Sequence, residues 1–196
     1  PLTEVAGISE REVQRLIDRR PFSSLSDAIG RAELSRPVAE NLVVTGAFDA
    51  LHPSPVTRRD LLLQVADIDR HTRSTGIDTQ LSFDLLGSTA EYVPITGLPE
   101  MKASDRVRSE MSVLGLDVSA HVVDFYKDLL SEMRATAACD LLKQRSGSDV
   151  WVAGVKVAIQ SPPVRSGRRV IFVTLDDSTG PIDAAFFDDV QENYSS

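Results

Sequence analysis

Between residues 150 and 187, three runs rich in Val, Ile, Phe and Thr follow one another closely. A basic glycine-containing loop and a tight turn separate them, and turn chemistry of that sort between alternating apolar runs predicts consecutive antiparallel hairpins. The first run is Val150 to Val157, with Gly154 near its middle. A basic glycine-containing loop, Pro162 to Arg169, leads into Val170 to Leu175. The tight turn Asp177-Ser178-Thr179-Gly180 then leads into Ile182 to Phe187. A curled strand, a basic loop, a second strand, a sharp turn and a third strand is how an OB-fold barrel begins. That fold binds single-stranded nucleic acid or oligosaccharide on the face of its second and third strands. Phe172 and Phe186 are candidates for stacking on bases, core packing being the alternative for both, and Trp151 is equally open.

A net charge of −8 argues against a strongly basic nucleic-acid binder, because DNA affinity rests largely on phosphate neutralisation. The positive charge is nonetheless clustered. Arg11, Arg15 and Arg19 recur every four residues and line one side of a helix, with Arg20 beside them. Arg165, Arg168 and Arg169 crowd the loop of the first hairpin. The bland reading of each cluster is solvated surface. Cys139 is the only cysteine, which excludes an internal disulfide and a cysteine metal cluster; its apolar neighbours suggest a small buried hydrophobe. There is no signal-peptide pattern and no apolar run of membrane-spanning length, so a reducing cytoplasm is the expected compartment.

Ahead of the strands the chain reads as helical. Ser9 followed by Glu12 is a capping-box pattern at the head of a helix to Arg20, and Pro21 stops it. Ser24 or Ser26 caps a second helix through Ile29, and Arg36-Pro37 opens a third to about Thr45, followed by Gly46. Arg58 to about Thr72 forms a fourth. Gly76, Gly87, Pro94, Gly97 and Pro99 break the periodicity up to Leu98. Ser104 is expected to cap a helix through about Leu114, Val122 to Met133 forms another, and Ala135 to Gln144 a short one. The expected class is α+β, with a helical region over 1–73, a linker over 74–103, a helical connector over 104–147 and the first part of a barrel over 148–196.

Leu2 to Ser9 with the following helix has the form of a helix-hairpin-helix, degenerate in having Ser9 where a strong version has glycine, in which Gly7, Ile8 and Ser9 would present backbone amides to a DNA phosphate; the alternative is a plain helical turn. Thr45-Gly46-Ala47 is a second candidate hairpin; the alternative is a glycine C-cap with Phe48 buried behind it. Gln80-Leu81-Ser82-Phe83-Asp84-Leu85-Leu86 offers apolar anchors around a glutamine, as a peptide that docks in a partner or as a cover for the protein's own core. His52, His71 and His121 are scattered, no metal-ligand spacing appears, and there is no nucleophile elbow or phosphate loop. Asp176 and Asp177 are adjacent and so face opposite ways along a strand, which suits a turn better than a shared metal.

Taken in order, these pieces resemble the C-terminal region of bacterial C-family DNA polymerases of the DNA polymerase III alpha type. Pro21 to Asp27 and Asn41 to Leu51 resemble their tandem helix-hairpin-helix region, and Glu110 to His121 resembles the connector before their OB domain. Val152 to Val155 with Phe172 to Gly180 is similar to the first half of that domain. Two departures, Ala120-His121-Val122 and Gln80 to Asp84, resemble the error-prone, damage-induced paralogue. The resemblance implies translesion synthesis by the parent enzyme, with Mg2+ held by palm carboxylates outside this region and no catalytic residue or cofactor within it. It further implies an inactive Y-family-like partner and a RecA-like accessory protein, with access to the sliding clamp indirect. The chain also ends soon after its third strand, where an OB barrel has five, so it is expected to be a fragment. The rival expectation is a protein-interaction module with little DNA affinity of its own.

Overall fold

The computed structural model describes residues 2–52, 54–74, 95–162 and 170–194. It divides into two compact units, Pro1–Ser119 and Ala120–Ser196.

The first unit is helical. A 3-10 turn, Leu2–Glu4, precedes α1 (Glu10–Asp18), α2 (Leu25–Ala32) and α3 (Arg36–Val44). A second 3-10 turn, Asp49–Leu51, precedes α4 (Arg58–Ser74) and α5 (Ala103–Leu114). Ser9 is the N-cap of α1, and its capping box with Glu12 is complete. Ser24 caps α2 by accepting the Asp27 amide at 3.1 Å. Pro37 stands in the first turn of α3, where its missing N–H costs nothing. Leu25, Val38, Val43, Leu61 and Val65 are buried where these helices meet. Helix α5 joins this core through Val113, whose carbonyl accepts the Ala6 amide at 2.9 Å. Ser104 does not cap that helix: it begins at Ala103, with Lys102 at the N-cap and no side-chain hydrogen bond there.

The N-termini of α1 and α3 share one acid. Glu12 Oε2 accepts the Ser9 amide at 2.9 Å, and Glu12 Oε1 accepts the Ser35 amide, at the cap of α3, at 2.9 Å. Burial alone would raise the Glu12 pKa, but the Ser35 and Ser9 hydrogen bonds outweigh it and bring it down to about 2. Asp60 plays the same part at α4, accepting from Thr57 and from Thr96. Its pKa is also lowered to about 2, those bonds overcoming desolvation.

The second unit begins with a 3-10 turn, Val122–Tyr126, then α6 (Lys127–Glu132) and α7 (Ala138–Leu141). Strands β1 (Val155–Gln160), β2 (Ile171–Asp176) and β3 (Pro181–Phe186) form an antiparallel sheet in that order, followed by α8 (Asp188–Tyr194). The single helix expected over Val122 to Met133 is split. Asp124 is turned back onto the His121 amide at 3.2 Å, and Tyr126 (φ −114°, ψ 6°) leaves helical geometry. Gly154 stands just ahead of β1, and the strand irregularity falls between Lys156 and Ala158. A Cβ at Gly154 would lie 2.8 Å from the Asp176 carbonyl oxygen, so the backbones approach too closely there for any side chain. Cys139 is exposed, contrary to expectation: the four-residue α7 has no further turn to cover it. Helix α8 lies where only strands are expected from the sequence.

Because the folded pKa of Glu12 lies below its ordinary value of 4.5, its contribution is complete above pH 4.5 and is lost as pH falls toward 2. The contribution is on the order of 2–3 kcal/mol. Glu12→Gln is expected to lower the neutral-pH stability of the first unit and to flatten its acid limb, as read by urea denaturation at a series of pH values.

Candidate nucleic-acid interface

Gly7 (φ 78°) forms the exposed corner of the first hairpin, followed by half-buried Ile8 and exposed Ser9. Such a corner leads straight into the first-turn amides of α1, which a helix leaves without internal acceptors. The Ser9 amide is already taken by Glu12, while Glu10 adds a negative charge to the same turn.

The arginine row expected to line this hairpin divides. Arg15 Nε donates to the Ala32 carbonyl at 2.6 Å, and Arg15 Nη2 to that of Glu33 at 3.0 Å. Arg19 donates to the Arg31 carbonyl and to Glu33 Oε1, while Arg31 donates back to the Arg19 carbonyl. These side chains satisfy the carbonyls at the ends of α1 and α2, a role basic residues fill well at helix C-termini. Arg11 alone of the three is exposed with no ion pair among the described residues, as is Arg20 beside them.

At the second hairpin the amides are spent. Gly46 N donates to the Val43 carbonyl and Ala47 N to that of Leu42, both at 2.9 Å, which is the Schellman pattern. Thr45 Oγ1 bonds back to the Asn41 carbonyl at 2.8 Å, and Phe48 is buried behind the turn. Sequence reasoning missed the pair lying against this turn. Buried Arg58 donates to Asp49 Oδ2 at 2.6 Å and to the Val44 carbonyl at 2.8 Å. A Cβ on Gly46 (φ 81°) would overlap the Arg58 guanidinium, so the glycine serves both the left-handed turn and the guanidinium. Nothing in the spacing of Asp49 and Arg58 signals this.

In the sheet, register separates the two phenylalanines. Phe172 pairs with Gln160 and Ala185, and the next pairs on its face are Thr174 with Ala158 and Asp183. Phe186 pairs with Ile171, on the face that holds Val173, Leu175, Ile182 and Ala184. Phe172 therefore stands on the polar face and Phe186 on the apolar one, at 43 % and 39 % exposure. Trp151 is 73 % exposed, and its carbonyl accepts the Thr136 amide at 2.7 Å. Asp176 and Asp177 part company as turn residues. Asp177 Oδ2 accepts the Ala138 amide at 2.7 Å and its Oδ1 accepts from Thr179 and Gly180, while Asp176 accepts from the Ser178 amide. These bonds lower the Asp177 pKa against the opposing effect of burial. The cluster Arg165, Arg168 and Arg169 and the segment carrying Gln80, Leu81, Phe83 and Leu85 lie outside the described residues. Among the described residues no group of three or more His, Cys, Asp or Glu side chains is placed to hold a metal, and no helix is long and apolar enough to cross a membrane.

A family model of the helix-hairpin-helix motif matches residues 1–61, and one of the OB-fold nucleic acid binding domain matches residues 150–196. Nearly the whole chain, 98 %, is 34 % identical to an error-prone DNA polymerase of Symbiobacterium thermophilum. It is 31 % identical over 98 % of its length to an error-prone DNA polymerase of Rhodopirellula baltica. A DNA polymerase III subunit alpha of Haemophilus influenzae is 28 % identical over 97 % of the chain. Over nearly its whole length the chain is homologous to part of these bacterial DNA polymerases. It spans 19 %, 16 % and 17 % of the length of those three relatives. The α+β class is as expected, a helix-hairpin-helix region ahead of an OB-type sheet in sequence.

Gly46→Ala is expected to destabilise the first unit by roughly 1–3 kcal/mol, through positive-φ strain and displacement of Arg58. In an Arg58→Met background the same change should cost only the backbone strain. Chemical denaturation of the two single variants and the double variant measures that difference.

Proposed function

We propose that this region holds DNA for an error-prone polymerase used in damage-induced translesion synthesis. The observation that carries the reading is the presence of two nucleic-acid-binding modules, in order, in a chain homologous throughout to DNA polymerases. The hairpin around Gly7, Ile8 and Ser9, with Arg11, would hold duplex phosphates without reading sequence. Phe172, flanked by Gln160 and Thr174, would stack on a template base, with Arg165, Arg168 and Arg169 following the single strand. The departures at Ala120-His121-Val122 and at Gln80 to Asp84 favour the error-prone branch. Asp84 stands where an apolar anchor would fill a clamp pocket, so clamp access would come through an inactive Y-family-like partner and a RecA-like accessory protein. Nucleotidyl transfer, with Mg2+, would belong to carboxylates of the parent enzyme, acting in the cytoplasm.

A second reading has its own support. Arg15 and Arg19 are tied to helix ends, and the Gly46 and Ala47 amides are tied to α3. With a net charge of −8, this suits a module that docks accessory proteins and has little DNA affinity.

A salt titration separates the two. The DNA reading expects weak, sequence-independent binding, about 10⁻⁴–10⁻⁶ M, that falls steeply with salt. Arg11→Ala should flatten the salt slope on duplex by about one unit. Phe172→Ala should weaken single-strand binding by about 1–3 kcal/mol. No binding at low salt, or binding indifferent to both changes, favours the docking module. Primer extension by the isolated chain with Mg2+ or Mn2+ should give no product; extension abolished by Asp176→Asn would overturn the assignment of catalysis to the parent.

A further inference from the structure

The polar face of the sheet is built in rows. Gln160, Phe172 and Ala185 stand side by side in one row, and Ala158, Thr174 and Asp183 in the next. Gln160, Phe172 and Asp183 are exposed, and Thr174 is half-buried. Thr174 therefore follows Phe172 along β2, while Asp183 lies diagonally across on β3. Diagonal neighbours on such a face are about 7–8 Å apart, a span that a ring system laid on one of them can cover. A base stacked on Phe172 thus has its polar edge within reach of Thr174 and Asp183.

The chemistry of that pair is one-sided. Thr174 Oγ1 donates to Asp183 Oδ1 at 2.7 Å, which commits the only proton the pair has to offer. What remains are lone pairs, on Thr174 Oγ1 and on the second Asp183 oxygen, which has no partner among the described residues. Gln160, by contrast, carries a donor and an acceptor on one amide and can turn to suit either kind of edge. A base whose edge lies over Thr174 and Asp183 must therefore bring N–H groups. The amino groups of cytosine and adenine supply them, whereas the C4 carbonyl of thymine or uracil would set oxygen against oxygen. We propose that Thr174 and Asp183 make the Phe172 stacking position selective for an amino-bearing base, cytosine or adenine, over thymine or uracil. The inference rests on the reading that this face holds a single strand, and it adds a preference that stacking by itself does not give.

The test uses the full 196-residue chain and labelled oligomers of deoxycytidine and of deoxyuridine, equal in length. The two bases differ only in the groups at C4 and N3, so the stacking area is matched. Fluorescence anisotropy at low salt and neutral pH should show the deoxycytidine oligomer bound roughly five- to tenfold more tightly. Asp183→Asn keeps an oxygen to accept from Thr174 while offering N–H to a carbonyl, so it should abolish or invert that ratio with the melting temperature unchanged. Phe172→Ala should weaken both oligomers and erase the preference, because only a base on that ring presents its edge to the pair. Equal binding of the two oligomers, or a ratio that Asp183→Asn leaves unmoved, would overturn the selectivity and leave the single-strand reading standing. No binding of either oligomer would overturn both.

Discussion

The carboxylate of Glu12 lies where two helices begin, and the arrangement of the first unit follows from what it holds. By accepting the amides of Ser9 and Ser35 it satisfies donors at the heads of α1 and α3 and fixes one helix start against the other. The turn through Gly7 that leads into α1 thereby acquires its position. The same bond has a consequence for binding. An anion of the protein's own already occupies part of the helix N-terminus that a DNA phosphate would use, so the turn offers fewer free donors than its outline suggests.

Acids repeat this work throughout the chain. Asp60 holds the start of α4 and the Thr96 segment, and Glu110 receives the Val118 and Ser119 amides after α5. In the second unit, Asp177 joins the β2–β3 turn to the start of α7. The basic residues mirror them, with Arg15, Arg19, Arg31 and Arg58 donating to carbonyls at helix ends. Much of the formal charge is therefore spent on unsatisfied backbone groups and not on solvent or ligand. Net charge alone is a poor guide to the binding surface of such a molecule, and which individual arginines remain uncommitted matters more.

The features legible in the sequence are those whose physics is local. The Ser9/Glu12 capping box, the Gly46 C-cap with Phe48 behind it and the three strands with their turn at Asp177 to Gly180 all depend on neighbours within a few residues. Where long-range partners decide, the sequence carries less. The four-residue spacing of Arg11, Arg15 and Arg19 gave their shared side of α1, but not that the end of α2 would lie beneath two of them. Phe172 and Phe186 could not be assigned to faces, because a single irregularity in register inverts the answer. The exposure of Cys139 was hidden by its apolar neighbours, which suggested a packed helix where only one turn forms.

By itself, then, the order of residues determined the class of the chain, the starts of α1 to α4, and the succession of a hairpin region and an OB-type sheet. These rest on capping, φ preference and hydrophobic period, all properties of short segments. Tertiary structure alone decided which charges remain free. Arg58 reaches Asp49 only because α4 brings it against the left-handed turn at Gly46. Likewise Phe172 and Phe186 fall on opposite faces only through the pairing of β2 with its neighbours. Such partners are distant along the chain, and no local pattern encodes the packing that unites them.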